Sequence, residues 1–177
     1  MGFPLGGDGP YLCTQSAGGR LTHFFPESYH AVDFRCRVGS PILAVADGVV
    51  KDVTDKESIT GIHCHNLTVW NSISLVVGPY VVEYVHIAPG SCRFKAGSSV
   101  LKGDVICEAG EVGFCPEPHL HLEVHLLSHP QGSSVAFHFS VDKTTVEPSN
   151  SYVAEAGKWY GPAGLAADPV CQECCAP

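Results

Sequence analysis

The strictest alternation of polar and apolar residues in the chain runs from position 119 to position 126. A period of two is typical of a β-strand with one face in the core, so we predict a half-buried strand there. Its polar face would carry three histidines and a glutamate: His119, His121, Glu123 and His125. Histidines two residues apart on a strand point to the same side, where they could bind a metal ion or polarise a carbonyl group.

The other patterned segments are short and are separated by glycine, proline and polar turns. Apolar runs occupy residues 31–34, 42–46, 49–53, 67–77, 80–87, 105–106 and 135–139. Asp47-Gly48 and Gly78-Pro79 are the turn signals of two predicted hairpins. We therefore predict an all-β fold, a compact antiparallel β-sandwich or barrel-like single domain. The predicted parts are an irregular lead-in over residues 1–22, the β domain over 23–141, and an irregular C-terminal extension over 142–177 with a cysteine-rich tail.

The composition of the chain bears on its binding partners and on its location in or outside the cell. The formal net charge is −8, so the chain lacks the basic surface with which proteins bind nucleic acid. No apolar run approaches the roughly 20 residues that span a bilayer, and the first residues lack the basic and apolar segments of a signal peptide. The nine cysteines and the glycosylation sequon at Asn66 nevertheless favour a secreted protein with disulfides, whose pairing the sequence leaves open.

Three ligands and one open position are what a catalytic zinc site requires. His121 is one candidate ligand, and Asp33 is a second because a carboxylate between Val32 and Phe34 enters the core and needs a partner there. The third could be His23 or His30. On a regular strand His30 would face away from Asp33, three residues later, whereas His23 lies in a loop that can fold back. We favour His23, although a bulge could bring His30 to the site.

Six segments of this chain, in this order, resemble the lysostaphin-type zinc metalloendopeptidases: residues 22–23, 30–34, 39–50, 84–87, 100–106 and 118–124. The sequence His-Leu-His-Leu-Glu at 119–123 is the most specific of them. The resemblance implies a compact antiparallel β fold of the duplicated hybrid motif type, with a groove that holds Zn2+. It also implies hydrolysis of peptide bonds, usually in the cross-links of bacterial peptidoglycan.

Carried over by position, the resemblance makes Asp33 and His121 zinc ligands. The common pattern of the family places the first ligand four residues before the aspartate, where this chain has Tyr29. The staphylolysin-like branch takes its first histidine from further upstream, which matches His23. The predicted metal ligands are therefore His23, Asp33 and His121.

The same resemblance makes His86 and His119 the catalytic histidines, and it leaves open which of them is the general base. Glu123 would either orient a ligand histidine or form the solvated end of the strand. We expect a zinc-dependent endopeptidase, a monomer, acting on peptidoglycan cross-links or glycine-rich peptides. The alternative is a non-catalytic, zinc-binding secreted relative that acts in signalling or cell-wall binding. Such relatives typically lose a catalytic histidine, and this chain has both.

Overall fold

The computed structural model describes residues 1–141 and 151–169. Over these residues the chain contains thirteen β-strands and one short 3-10 helix, so the predicted all-β fold is confirmed. The strands are β1 (Tyr11–Gln15), β2 (Val32–Arg35), β3 (Pro41–Leu43), β4 (Gly48–Thr54), β5 (Ser72–Val77), β6 (Tyr80–Val85), β7 (Ser99–Val100), β8 (Val105–Glu108), β9 (His119–Leu126), β10 (Phe139–Ser140), β11 (Ser151–Tyr152), β12 (Trp159–Gly161) and β13 (Gly164–Ala166). The 3-10 helix is Cys64–Thr68.

Nine of the strands form one antiparallel sheet, in the order β13-β12-β1-β2-β9-β6-β5-β4-β7. Strand β9 lies in the middle of this sheet, between β2 and β6. Two small ladders, β3 with β8 and β10 with β11, complete the described strands. The two edge strands of the large sheet, β13 and β7, do not pair with each other in the described part of the chain, so this sheet is open rather than a closed barrel.

The core lies against the apolar face of β9. Leu120 and Leu122 have no exposed surface, and Val124 is 4% exposed. The ring of Phe34 from β2 packs in the same cluster, with its centroid 5.8 Å from that of Phe139. Since side chains alternate across a strand, burial of this face leaves the opposite face of β9 to its histidines and glutamate.

The prediction of an irregular lead-in over residues 1–22 is wrong for its central part. Strand β1 pairs with β2 on one side and with β12 on the other. Before it, Phe3 and Leu5 are buried in the core, and the N–H of Leu43 donates to the carbonyl of Pro4. The surrounding glycines and prolines obscured a strand whose hydrogen-bond partners are distant in the sequence.

One predicted hairpin forms and the other does not. Val77 and Tyr80 pair directly across the Gly78-Pro79 turn, and Gly78 has φ 57°, a value that favours glycine. The hairpin predicted at Asp47-Gly48 is wrong, because β3 pairs with β8 while β4 pairs with β5 and β7. The carboxylate of Asp47 instead accepts the N–H of Lys102 at 2.8 Å.

Part of the predicted C-terminal extension belongs to the sheet. Strand β12 pairs with β1, and Tyr160 at its centre is 2% exposed. The prediction of an irregular extension is therefore wrong for residues 159–166, which form the strands β12 and β13 at one edge of the sheet. Residues 142–150 and 170–177, which include the predicted cysteine-rich tail at Cys171, Cys174 and Cys175, lie outside the described residues.

The features that favoured a secreted, disulfide-bonded protein receive no support from the described part of the chain. Its six cysteines are free thiols: Cys13, Cys36, Cys64, Cys92, Cys107 and Cys115. Asn66 of the sequon is 1% exposed, and its side-chain amide donates to the carbonyl of Gly61 at 2.8 Å. A glycan could not be attached to a side chain buried in this way. Among the described residues there is no helix with the length and apolarity needed to cross a membrane.

Tyr84 and Tyr152 provide a matched test of buried hydrogen bonding. The Tyr84 hydroxyl accepts the N–H of Val45 at 2.9 Å inside the core, whereas the buried Tyr152 hydroxyl has no partner among residues 1–141 and 151–169. We expect Tyr84→Phe to lower the free energy of unfolding by about 1–3 kcal/mol, because it leaves a buried N–H unsatisfied. Tyr152→Phe should be neutral or stabilising. Urea unfolding of both variants would show this, and equal losses would contradict it.

Candidate metal centre

Three side chains from separate parts of the chain converge on one point at the polar face of β9. Asp33 on β2 lies directly opposite His121 on β9 in the antiparallel ladder. His23 comes from the loop between β1 and β2 and is fully buried. Asp33 Oδ1 lies 2.9 Å from His121 Nδ1 and 3.2 Å from His23 Nε2. The two imidazole nitrogens are 3.2 Å apart.

This triangle has the dimensions of a metal site. A tetrahedral ion with bonds of about 2.0 Å separates its ligand atoms by about 3.3 Å, close to the distances between these three side chains. The outer nitrogens of both histidines are engaged, as is usual for metal-binding imidazoles. His23 Nδ1 donates to the carbonyl of Ser16 at 3.1 Å, and His121 Nε2 donates to Glu123 Oε2 at 3.2 Å. Each ring therefore presents its remaining nitrogen to the triangle.

Of the two histidines that the sequence offered as third candidate, His23 lies in the triangle and His30 does not. The ring of His30 packs edge-on against Tyr29, and its backbone N–H donates to Ser134 Oγ at 2.9 Å. His30 lines a small separate pocket with Phe137 and Phe139. No bulge turns it toward Asp33.

Gln15 on β1 supports the triangle and was missed by the sequence analysis. Its Nε2 donates to Asp33 Oδ2 at 2.8 Å, which leaves Oδ1 for the triangle. Its Oε1 accepts the backbone N–H groups of Leu21 and Thr22 at 3.0 and 3.1 Å, and so fixes the loop that carries His23. A lone glutamine in a glycine-rich segment carries no signal of this role.

The buried charges of the centre stabilise one another. Burial raises the pKa of Asp33, but the imidazoles of His119, His121 and His23 outweigh it and hold this pKa well below its ordinary value. Burial lowers the pKa of His121, but hydrogen bonds to Asp33 and Glu123 outweigh that effect and raise the pKa to about 10. His121 therefore lies in a strongly negative environment, which equally favours a bound cation.

Glu123 contacts two histidines of β9. Its Oε2 accepts from His121 and its Oε1 lies 3.2 Å from His125 Nε2. Burial raises the pKa of Glu123, but the bonds to His121 and His125 outweigh it and lower the pKa to about 2. The sequence left open whether Glu123 orients a ligand histidine or forms the solvated end of the strand. Its contact with His121 supports the first of these two roles.

His86 and His119 lie beside the triangle with their rings 4.6 Å apart. His86 Nδ1 donates to the carbonyl of Val112 at 2.6 Å, and His119 Nδ1 donates to the carbonyl of Glu117 at 2.7 Å. The Nε2 atom of each ring is then unprotonated when the ring is neutral. His119 Nε2 lies 3.8 Å from Asp33 Oδ1.

The position of His86 depends on an unusual backbone conformation. His86 follows β6 with φ 64°, a left-handed value that is uncommon outside glycine and that clusters at functional sites. Its N–H donates to the carbonyl of Asn71 at 3.0 Å, and its carbonyl accepts the N–H of Gly110 at 2.8 Å. Burial, with the charges of His119 and His121, lowers the pKa of His86 to about 3, so the ring is neutral.

An open groove of about 940 Å3 gives access to the centre. Its lining includes Asp33, His86, His119 and His121, so two members of the triangle and both neighbouring histidines meet the same cavity, while His23 is fully buried and does not line it. A peptide could therefore reach all of these groups at once.

The sequence profile of Peptidase family M23 matches residues 27–136, more than half of the chain. The chain belongs to Peptidase family M23. The match begins four residues after His23, so the loop that brings His23 to the triangle lies just outside it.

Curated relatives of this M23 chain are metalloproteases by name. An uncharacterized metalloprotease from Haemophilus influenzae is 32% identical over 99 residues, which are 55% of this chain and 18% of the relative. One from Buchnera aphidicola is 32% identical over 98 residues, 55% of this chain and 23% of the relative. The aligned region thus spans about a fifth of each relative. Family membership and these relatives place the chain among metallopeptidases.

Solved structures share the fold. A variant of the catalytic domain of the prophage-encoded M23 protein EnpA from Enterococcus faecalis aligns with a TM-score of 0.55 and 24% identity, over 76% of this chain and 94% of that one. The antimicrobial peptidase lysostaphin from Staphylococcus simulans aligns with a TM-score of 0.53 and 22% identity, over 71% of this chain and 47% of that one. At these identities the likeness concerns the fold.

Glu123 can be tested as an orienting residue of this M23 chain. We expect Glu123→Gln to weaken metal binding by about 10- to 100-fold, because it removes a charged partner of His121. Glu117→Gln is the matched control, since Glu117 lines the same groove but its carboxylate pairs with Arg35 at 2.8 Å. Titration of the metal-free proteins with Zn2+ would measure both affinities. Equal effects of the two substitutions would contradict the role of Glu123.

Gly110 can be tested as the residue that admits the His86 conformation. A Cβ at Gly110 would lie 2.7 Å from the backbone nitrogen of Ala88. Gly110→Ala should therefore displace the backbone that follows His86 and lower hydrolytic activity at least about 10-fold, with metal content unchanged. Gly161→Ala, which has nothing within 4 Å of the added Cβ, is the control. Full activity of the Gly110 variant would show that His86 does not depend on this contact.

Proposed function

We propose that this chain is a zinc-dependent endopeptidase that hydrolyses peptide bonds in peptidoglycan cross-links or in glycine-rich peptides. The observation that carries the proposal is a triangle of potential ligand atoms next to two further imidazoles, with Asp33, His121 and both of these imidazoles lining one open groove. We assign His23, Asp33 and His121 to the metal, and His86 and His119 to the substrate.

The donor set supports zinc as the metal. Two imidazole nitrogens and one carboxylate oxygen suit Zn2+, and three protein ligands leave one position for water or substrate, as in catalytic zinc sites. When bound, the ion would polarise the scissile carbonyl and lower the pKa of the attacking water.

His119 is assigned as the general base. Its Nδ1–H is held by the carbonyl of Glu117, so its Nε2 lone pair is free to accept the proton of the attacking water. The imidazolium so formed then holds that proton for the departing amine. His119 lies on the same strand face as His121, which fixes its distance from the metal centre.

His86 is assigned a different task because its lowered pKa makes it a poor base. The neutral ring offers an acceptor at Nε2, which suits it to orient the attacking water or an N–H group of the substrate. The bond from Nδ1 to Val112 holds the ring in this orientation.

The presence of both histidines in the groove supports an enzyme over the alternative of a non-catalytic zinc-binding protein. Each ring is buried and bonded to a backbone carbonyl, and each lines the groove beside Asp33. A peptidoglycan substrate would place the protein outside the cytoplasm, and we propose that it acts there as a secreted or extracytoplasmic monomer.

Substitutions separate metal binding from catalysis. We expect His121→Ala to lose both zinc and hydrolysis, since two ligands hold the ion poorly. We expect His86→Ala to keep its zinc and to lose about 100-fold in rate, the scale of loss when a reacting group is no longer held in position. Metal analysis together with amine release from peptidoglycan or pentaglycine would measure both effects.

His30→Ala is the matched control, because His30 lies outside the triangle and should keep both zinc and activity. A chelator should inactivate the wild-type chain, and added Zn2+ should restore it. Full zinc content in His121→Ala would refute the ligand assignment, and zinc-loaded protein without any hydrolysis would favour the non-catalytic alternative.

A further inference from the structure

Large exposed apolar side chains concentrate on two loops beside the metal centre. One loop joins β1 to β2, and the other joins β4 to β5. Eight such side chains, 41–69% exposed, lie on them: Leu21, Phe24, Phe25 and Tyr29 on the first, and Ile59, Ile62, Leu67 and Trp70 on the second. Single exposed apolar residues are ordinary, but groups of them at a concave site mark a binding surface.

Several of these side chains line the same groove as the metal centre. Leu21 and Phe25 form what we call the first wall, and Leu67 and Trp70, with Phe114, form the second wall. The two walls therefore share one cavity with the groups assigned to catalysis.

The backbone behind both walls is held by hydrogen bonds. Gln15 binds the N–H of Leu21 in the first wall, as described above. In the second wall, the carbonyl of Asn66 accepts the N–H groups of Val69 and Phe114 at 3.3 and 3.1 Å. Walls that are already ordered need not lose much conformational entropy when they bind a ligand.

Each wall adjoins a residue assigned to the reaction. Leu21 and Phe25 lie two residues before and two residues after His23. On the other side, Phe114 lies two residues after Val112, whose carbonyl holds His86. A peptide whose scissile bond reaches the centre would therefore pass close to these walls.

We infer that the substrate carries a bulky apolar side chain, of the leucine or phenylalanine class, at a residue adjoining the scissile bond. The inference rests on the proposed peptidase function. Of the two proposed substrates, it favours a glycine-rich peptide that carries one such residue over a peptidoglycan cross-link. A peptide with glycine on both sides would leave the apolar walls in water, whereas a large apolar side chain would bury them.

Matched peptides test the inference. Zinc-loaded protein would be given internally quenched peptides that are identical except for one position, glycine or phenylalanine, on either side of the scissile bond. We expect kcat/KM to be at least about tenfold higher for one phenylalanine peptide than for the glycine peptide, the scale on which apolar pockets discriminate. Equal or faster cleavage of the glycine peptide would overturn the inference and leave the peptidase function standing. Cleavage of none of the peptides would overturn both.

Substitutions in the groove show which side chains produce the preference for the phenylalanine peptide. Trp70→Ala should reduce the ratio of the two kcat/KM values, because the phenylalanine peptide loses the largest side chain of the second wall. Leu165→Ala is the control, since Leu165 is 65% exposed on β13 and does not line the groove. A Trp70→Ala variant that slows both peptides equally, with zinc content unchanged, would show that the second wall does not select the side chain.

Discussion

The pairing of β2 with β9 is the constraint on which the candidate metal centre depends. This ladder sets Asp33 directly opposite His121, on the face of the sheet that points away from the core. A slip of one residue would turn every side chain of one strand to the other face, placing the histidines in the core and the leucines in the groove. The burial of Leu120 and Leu122 therefore fixes the register that brings the carboxylate to the imidazole.

The same strand also organises the residues assigned to catalysis. Because β9 is central, its other neighbour β6 places Val85 opposite His121, and the chain leaves β6 at His86. His119 begins β9 itself. One strand with two neighbours thus brings together groups that are far apart in the sequence. The largest separation among them, 88 residues, is between Asp33 and His121.

Loops supply what the sheet cannot. A buried carboxylate and several buried imidazoles are costly unless each has a partner. Asp33 has Gln15, and the outer nitrogens of His23, His86 and His119 have backbone carbonyls from irregular segments. These hydrogen bonds hold the rings and leave the other nitrogen of His23 beside Asp33 and those of His86 and His119 in rings that line the groove. The same irregular segments carry the apolar walls, so they both position the imidazoles and border the groove.

Local patterns in the sequence determined the all-β class and the two faces of β9, because side-chain periodicity reports which residues share a face. They also put forward Asp33 and His121 as metal ligands, and the fold brings these two side chains to within 2.9 Å of each other. They also favoured His23 over His30, since an odd offset turns His30 away from Asp33. Only the tertiary structure decided that β1 joins the sheet, that Gln15 holds Asp33, that β3 pairs with β8, and that His86 has a left-handed backbone. The physical reason is that these features depend on hydrogen bonds between residues far apart in the chain, which leave no periodic trace in the segments that make them.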